Sequence, residues 1–275
     1  MPASPATRPA VPSTLPDGVA IEPIEAFKDN YIWCIRAGSQ AVVVDPGEAP
    51  PVLAALRAAS LQLTGILLTH HHADHIGGVA ELVRTVGQVP VHGPADERIT
   101  EATVRVREGD RIVLDALCEG GLAFDVLEVP GHTSSHVAFH GHGLLFSGDT
   151  LFSVGCGRMF EGTPPQMSAS LDRLAALPAD TRVFCGHEYT AANIAFARAV
   201  EPGNPAIDAW AATVEQLRAA GRPSLPSTIG TERATNPFLR CAEPSVARAA
   251  EAHAGRALSG PVEVFGELRA WKNTF

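Results

Sequence analysis

Short apolar runs separated by turn residues fill the chain from about residue 19 to residue 187. Buried strands are predicted where these runs are rich in β-branched or large apolar side chains: residues 41–44, 64–69, 144–146 and 182–185. Alternating apolar positions predict two more strands, near residues 112–116 and 122–129. Apolar residues recur at helical spacing over residues 52–59 and 76–86. This mixture favours a layered α/β fold with mixed sheets over a regular doubly wound sheet.

The pattern changes after residue 188. Helices are predicted over residues 191–200, 205–220 and 244–254, with a Pro/Ser/Thr-rich loop over residues 221–231. Residues 1–18 carry five prolines and little that could pack. We therefore expect a disordered tail over residues 1–18, a main domain over residues 19–187 and a smaller, mainly helical domain over residues 188–275.

Composition narrows the class of protein. Of the 275 residues, 45% are apolar and 19% are charged, which excludes disorder over the whole chain. No apolar run approaches the roughly 20 residues that span a bilayer, so no membrane partner is expected. The 30 acidic side chains against 21 basic ones argue against a nucleic-acid-binding face. Five cysteines without a secretory signal favour a reducing, cytoplasmic compartment over a disulfide framework.

The highest density of potential metal ligands lies between a predicted buried strand and a predicted helix. Residues 69–75 read THHHADH, and imidazoles and a carboxylate on such a loop can converge without sharing one helix face. A structural zinc site would use Cys more often. A mixture of His and Asp suits a metal that activates water, such as zinc, iron or manganese.

Three further polar residues directly follow predicted strands. They are His132 in PGHT, Asp149 in SGDT and His187 in CGHE. The C-terminal ends of strands are where open α/β sheets position their ligands. Each residue alone is more typical of a hydrogen-bonded loop. Together with residues 69–75 they indicate a single metal centre.

In this order, THHHADH, GHT, GDT and GHE resemble the motif set of the metallo-β-lactamase superfamily, from about residue 20 to residue 187. The resemblance implies an αββα sandwich with metals at one edge of its sheets. It implies two divalent metal ions per chain, with zinc preferred and iron or manganese as alternatives. The implied ligands are His70, His72 and His132 for one ion, Asp74, His75 and His187 for the other, and Asp149 as the bridge.

The resemblance also implies a mechanism. A hydroxide that bridges the two metals attacks the substrate, because metal binding lowers the pKa of water to about 7 from about 15.7. Asp74 and Asp149 are the implied catalytic residues, with Asp74 accepting the proton of the nucleophile. Asp45 occupies the superfamily position that supports the His loop. The six histidines outside the ligand set are expected to be structural or surface residues.

Four local stretches narrow the resemblance to glyoxalase II, the hydroxyacylglutathione hydrolases. They are GCGRMFEGT at 155–163, GHEYT at 186–190 followed by Asn193, TNPFLR at 235–240 and LRAWKNTF at 268–275. The resemblance then covers residues 20–275. By position, it implies a glutathione-binding set of Arg158, Tyr189, Asn193, Arg269 and Lys272.

Two positions depart from this family. Phe160 stands where some members carry Tyr, and Asn273 stands where many carry Asp. The first change removes a phenolic hydrogen bond to glutathione. We expect both changes to affect the affinity or selectivity for the thiol carrier, and neither to affect the metals.

The implied reaction is hydrolysis of a glutathione thioester. In the family case S-D-lactoylglutathione yields glutathione and D-lactate, the second step of methylglyoxal detoxification. Glutathione is anionic overall. Arg can bind a carboxylate through two parallel hydrogen bonds, and Lys acts as a point charge. Nothing indicates an obligate dimer, so a monomer is expected.

Two alternatives stay open. One is another hydrolase or oxygenase of the same fold, above all a glutathione persulfide dioxygenase with mononuclear iron and the same first motif. The helical domain and the ending with Arg269 and Lys272 favour glyoxalase II. The other is a non-catalytic protein that binds metal or glutathione, which the seven filled ligand positions disfavour.

Overall fold

A computed structural model describes residues 11–275. Of the tail predicted over residues 1–18, residues 1–10 therefore lie outside the described residues. Residues 11–18 form neither helix nor strand. Leu15 packs against the buried interior, and His142 Nδ1 donates to the backbone oxygen of Thr14 at 3.1 Å. These two contacts attach the segment to the folded chain.

The strands of the described chain form two six-stranded sheets and one hairpin. The first sheet contains, in order, β1 (Val19–Ala26), β2 (Asn30–Ala37), β3 (Gln40–Val44), β4 (Gln62–Leu67), β5 (Val91–Pro94) and β6 (Val104–Val106). The second sheet begins in sequence with β7 (Arg111–Leu114), β8 (Leu122–Glu128), β9 (Val137–Gly141) and β10 (Leu144–Gly148). A separate hairpin follows, formed by β11 (Leu151–Phe152) and β12 (Gly155–Cys156). The second sheet is completed by β13 (Arg182–Cys185) and β14 (Ser227–Thr228).

Both sheets are mixed, as the sequence predicts. In the first sheet β1, β2 and β3 are antiparallel, and β3 to β6 are parallel. The second sheet has the order β14-β13-β10-β9-β8-β7, and its single parallel pair is β10 with β13. The parallel strands end at the same edge, where the functional loops begin.

The helices lie on the outer faces of the sheets and in the C-terminal part. In chain order they are α1 (Ala49–Ala58), α2 (Ala73–Ile76), α3 (Val79–Val86), α4 (Pro164–Ala175), α5 (Thr190–Val200), α6 (Pro205–Ala219), α7 (Ile229–Thr235), α8 (Pro244–Ala254) and α9 (Pro261–Thr274). A 3₁₀ turn spans Pro237–Leu239. Within residues 11–275, none of these helices combines the length and the apolar character needed to cross a bilayer.

Strand β2 illustrates how one apolar run supplies two layers. Tyr31, Trp33 and Ile35 lie in the core between the sheets, whereas Ile32 and Cys34 lie in the cluster that includes α1 and α3. Successive side chains of a strand point to opposite faces, so a continuous apolar run is buried on both sides. The first sheet is therefore covered on both faces.

The outer face of the second sheet packs against helices from two parts of the chain. Leu145 and Val183 share one buried cluster with Met167 of α4 and Phe265 of α9. Strand β14 also joins this sheet through β13. Residues 188–275 thus share their apolar core with the second sheet. The layer order is helix, sheet, sheet, helix, which confirms the predicted αββα sandwich.

The predicted helix over residues 76–86 is divided in the structure. Its apolar positions belong to α2 and α3, which Gly77 and Gly78 separate. A Cβ at residue 78 would lie 2.5 Å from the carbonyl carbon of Glu48, so only glycine allows this approach of the two backbones. The break brings the two short helices against the start of α1.

The prediction of a loop throughout residues 221–231 is wrong. This segment contains β14 and the first turn of α7. The side chain of Thr228 accepts a hydrogen bond from the N–H of Thr231, which caps the helix. Pairing of β14 with β13 is a long-range contact that the local composition does not reveal.

The core between the sheets yields a stability prediction. Phe146 is 1% exposed there, and Phe146→Ala should lower the free energy of unfolding by about 3–5 kcal/mol through lost burial and a residual cavity. Val113→Ala on β7 is the control, because its side chain is 42% exposed. Denaturant unfolding measures both variants. Equal losses would contradict the assigned core.

Candidate metal centre and adjoining cavity

The seven residues predicted to bind metal converge at one edge of the sheets. Strands β4, β8, β10 and β13 end just before four of the contributing loops, and α2 contributes the remaining positions. The converging residues are His70, His72, Asp74, His75, His132, Asp149 and His187. Asp149 and His187 are brought together by the parallel pairing of β10 with β13, the strands that precede them.

One group consists of three histidines. His70 Nε2 lies 3.1 Å from His72 Nδ1, and His132 Nε2 lies 2.9 Å from the same nitrogen. Four ligands arranged tetrahedrally at about 2.0–2.1 Å from zinc are about 3.3 Å from one another. The three nitrogens are therefore close enough to share one cation.

A second group contains Asp74, His75 and His187. His187 Nε2 lies 3.4 Å from Asp74 Oδ2, and His75 Nε2 lies 3.6 Å from the same oxygen. Asp149 lies between the two groups, because its Oδ2 is 3.5 Å from His132 Nε2 and 3.3 Å from His187 Nε2. One carboxylate can thus reach both groups.

The unsatisfied atoms of this centre fit a divalent cation. His75 Nε2 and Asp149 Oδ1 are buried and lie 3.3 Å apart, and neither forms a hydrogen bond to any other group of the described residues. Buried polar atoms of this kind cost free energy unless something binds them. Imidazole nitrogens and carboxylate oxygens are ligands for zinc, iron and manganese. The residues therefore fit divalent metal ions.

Asp45 supports the His loop from beneath. Its two carboxylate oxygens accept hydrogen bonds from the backbone N–H and the hydroxyl of Thr69, each at 2.7 Å. Oδ2 also lies 3.1 Å from His75 Nδ1. This contact orients the ring so that Nε2 faces the centre, as outer partners of metal-binding histidines generally do.

Two other histidines of the centre are oriented in the same manner. His187 Nδ1 lies 3.0 Å from Asp29 Oδ1, and His132 Nδ1 lies 2.7 Å from the backbone oxygen of Arg158. In both rings the opposite nitrogen is left to face the centre. The position of Arg158 is thereby linked to the orientation of His132.

The pKa values of the centre follow from burial and from the carboxylates. Burial lowers the pKa of His70 well below its ordinary value and also lowers that of His132, which keeps both rings neutral. Burial opposes the charged form of His187, but the charge of Asp149 and the hydrogen bonds to Asp149 and Asp74 raise its pKa to about 10. Carboxylates that stabilise the charged imidazolium in this way would also attract a metal ion, which would displace the proton of the ring.

A cavity of about 680 Å³ opens beside the centre. Its volume lies within the range of about 300–1,000 Å³ that is typical of small-molecule sites. The structure brings all five residues of the predicted glutathione-binding set to its walls: Arg158, Tyr189, Asn193, Arg269 and Lys272. They come from the loop after β12, from α5 and its N-terminus, and from α9.

Aromatic rings join the cavity to the centre. Tyr189 stacks on His187, with ring centroids 4.7 Å apart and an interplanar angle of 5°. Phe160 is 65% exposed and presents its ring to His72 and His132, at centroid distances of 5.4 and 5.3 Å. Phe160 thus forms an exposed apolar rim above the first group of histidines.

Three of the predicted substrate residues already have protein partners. Arg269 is buried, and its Nη1 donates to the backbone oxygen of Cys156 at 2.8 Å. Asn193 Nδ2 donates to the Ser153 carbonyl at 3.0 Å, and Lys272 Nζ donates to the backbone oxygen at residue 192 at 3.0 Å. These side chains hold the cavity wall as well as lining it. Arg158, by contrast, is exposed.

Sequence reasoning missed two residues that the structure brings to the centre. Asp29 contacts His187 as described above, and Asn30 Nδ2 donates to Asp74 Oδ2 at 3.0 Å. Asp29 lies in the turn between β1 and β2 and Asn30 begins β2, and Asp and Asn are ordinary residues in and beside a turn. Their partners are 158 and 44 residues away, so only the folded arrangement identifies them.

Comparisons with known protein families agree with this geometry. Residues 27–187 match the family model described as metallo-beta-lactamase superfamily. Residues 188–275 match the model described as hydroxyacylglutathione hydrolase C-terminus. The two matches adjoin at the residue after His187.

Curated relatives match nearly the whole chain. A hydroxyacylglutathione hydrolase of Cupriavidus taiwanensis is 54% identical over 266 residues, covering 93% of this chain and 98% of the relative. A hydroxyacylglutathione hydrolase of Xanthomonas campestris pv. campestris is 54% identical over 253 residues, covering 92% of this chain and 97% of the relative. The similarity therefore includes both the sandwich and the helical part.

Solved structures share the architecture at lower identity. ETHE1 from Myxococcus xanthus is 26% identical, with a TM-score of 0.61, and the match covers 93% of this chain and 99% of that one. TTHA1623, solved in a di-iron-bound form, is 29% identical, with a TM-score of 0.56, and the match covers 79% of this chain and all of that one.

Neighbouring histidines provide a matched test of metal binding. His72→Ala should lower the affinity for divalent metal by about 100-fold or more, since loss of even an outer partner costs about 10–100-fold. His71→Ala is the control, because its ring nitrogens lie 3.6 Å from Asp96 and Glu161 instead of joining the cluster. Elemental analysis after dialysis measures metal per chain. Equal retention in both variants would contradict the assignment.

Proposed function

The chain belongs to the hydroxyacylglutathione hydrolases of the metallo-beta-lactamase superfamily, and from this premise we propose that it hydrolyses glutathione thioesters, with S-D-lactoylglutathione as a substrate. Membership confirms the resemblance carried by the motifs and makes the chain a thioester hydrolase. The observation that supports this substrate best is a cavity with three cationic side chains that opens directly onto the clustered histidines and carboxylates.

The proposed cofactor is a pair of divalent metal ions, with zinc preferred. His70, His72 and His132 would hold one ion, while Asp74, His75 and His187 would hold the other, with Asp149 between them. When bound, two such ions lower the pKa of water to about 7 and polarise the thioester carbonyl. The distances within each group and the position of Asp149 support this division.

The residues of the chain have distinct proposed roles in the reaction. Asp74 has a side chain that is 40% exposed and lines the cavity, so its carboxylate can accept the proton of the attacking water. Asn30 donates to that carboxylate and holds it in place. The leaving group is a thiolate whose thiol has a pKa of about 8.5. No side chain therefore has to protonate it.

Substrate binding is proposed to depend on Arg158, with Arg269 and Lys272 adding positive charge deeper in the cavity. Arg158 is exposed, so its guanidinium can form two parallel hydrogen bonds to a glutathione carboxylate. Lys272 is held over the ring of Phe196 at 5.2 Å, and burial lowers its pKa below the ordinary value. Residues 188–275 are then the glutathione-binding domain, and Arg158 is contributed by the domain that precedes it.

The first test is the reaction itself. Purified protein with measured metal content should hydrolyse S-D-lactoylglutathione, followed as the loss of thioester absorbance. Asp149→Ala should abolish turnover, because it removes the carboxylate that reaches both groups of ligands. Asp115→Ala, at an exposed position, is the control. One iron per chain together with sulfite formed from glutathione persulfide would instead support the dioxygenase alternative.

Arg158→Met tests the role proposed for the exposed arginine. The change keeps the aliphatic stem and removes the charge, so KM for the glutathione thioester should rise about tenfold with little change in kcat. Arg84→Met, on the exposed face of α3, is the matched control. Steady-state kinetics measure both. A large fall in kcat at unchanged KM would exclude the proposed binding role.

A further inference from the structure

We propose that Asn236 and Glu232 are positioning residues for substrate binding, because they fix the hairpin of β11 and β12 that forms one wall of the cavity. The inference rests on the proposed function, since it takes this cavity as the site of the glutathione thioester. Neither residue lines the cavity or belongs to the metal centre. Their effect is exerted through the hairpin.

The turn of this hairpin has an unfavourable backbone conformation. Val154 lies between β11 and β12 with a φ of 57°. A β-branched residue in the left-handed region is a steric outlier, and it persists only where its surroundings hold it. Val154 is fully buried, so water does not satisfy its backbone. The hairpin therefore requires fixed partners from elsewhere in the chain.

Helix α7 and the residue after it supply those partners. Glu232 Oε2 accepts the backbone N–H of Val154 at 2.7 Å. Asn236 Nδ2 donates to the carbonyl of Gly155 at 2.9 Å and to that of Phe152 at 3.4 Å. It also donates to Glu232 Oε2 at 3.0 Å, which joins the two side chains. The hydrogen-bonded pair of Glu232 and Asn236 therefore holds backbone groups of Val154 and of residues before and after it.

Burial of the Glu232 carboxyl group is energetically unfavourable. The group is fully buried, and burial raises its pKa to about 7 despite the hydrogen bonds that its Oε2 accepts from the backbone of Val154 and the amide of Asn236. A buried carboxyl costs free energy unless its hydrogen bonds repay it. The role assigned here accounts for its presence, because its acceptor atom meets both the strained turn and the amide of Asn236.

The hairpin transmits this restraint to the cavity. Phe152, Cys156, Gly157 and Arg158 all line it. A Cβ on Gly157 would lie 1.9 Å from the backbone oxygen of Asp149, so the exit of the hairpin packs directly against the segment that carries this carboxylate. A shift of the hairpin would therefore displace both the cavity wall and the guanidinium proposed to bind glutathione.

This assignment also gives a role to the TNPFLR stretch. Asn236 Oδ1 accepts a hydrogen bond from the N–H of Phe238 and so caps the 3₁₀ turn. This bond orients the amide so that its Nδ2 faces the hairpin. Cation–π contact of Arg269 with the ring of Phe238, at 5.1 Å, then links the stretch to α9. The stretch connects the helical part to the cavity wall, and none of its residues lines the cavity.

Asn236→Asp tests the proposal with little change in shape. It keeps the oxygen that caps the 3₁₀ turn and replaces the donor amide with an acceptor, so the hairpin loses the hydrogen bonds to the Gly155 and Phe152 carbonyls. KM for S-D-lactoylglutathione should rise about tenfold, while kcat stays within about threefold. Metal per chain should remain that of the wild-type protein.

Asn204→Asp is the matched control. Asn204 caps α6 in the same helical part, and its Nδ2 donates to Glu201 and to the Ala234 carbonyl instead of the hairpin. An equal rise of KM in this variant would overturn the proposal, because it would report general loosening of the domain. Unchanged KM in Asn236→Asp would overturn it as well.

A second variant applies if Asn236→Asp gives no folded protein. Glu232→Asp keeps the carboxyl but withdraws it by one methylene from the Val154 N–H, and the same rise of KM is expected. Unchanged KM in that variant would contradict the role.

Failure of the wild-type protein to hydrolyse the thioester would overturn the proposed function. Activity in the wild type with unaltered variants would overturn only this inference.

Discussion

The buried carboxylate of Asp149, held among imidazoles from separate loops, is the constraint on which the remaining structure depends. It lies within 3.5 Å of nitrogens from His132 and His187. A charge in this environment is tolerable only when cations compensate it. The sandwich provides the required convergence, because β10 and β13 run parallel and deliver Asp149 and His187 to the same edge. Metal chemistry is thus a consequence of strand order as much as of residue type.

The C-terminal part of the chain forms one side of the cavity beside this centre. It packs on the outer face of the second sheet and contributes Tyr189, Arg269 and Lys272 to the cavity. Arg269 contacts the Cys156 carbonyl, so a residue expected only to bind glutathione also supports the wall of the site. A substitution at Arg269 would therefore alter the wall of the cavity as well as the binding role proposed for it.

Local patterns predicted those parts of the structure that local physics determines. The strand over residues 182–185 and the motif over residues 69–75 were identifiable because apolar runs and metal-ligand residue types adjoin in sequence. The contact of Asp29 with His187 and the pairing of β14 with β13 depend on long-range folding, which composition does not encode locally. The partners of Arg269 were hidden for the same reason, since a motif identifies a residue but not what it contacts.

Anomalous diffraction from crystals of the metal-loaded protein can show whether Asp149 lies between two metal ions. Two metal peaks are expected in each chain. One peak should be bounded by His70, His72 and His132, and the other by Asp74, His75 and His187, with Asp149 contacting both. A single peak in a fully loaded crystal, or a metal bound away from Asp149, would contradict this arrangement.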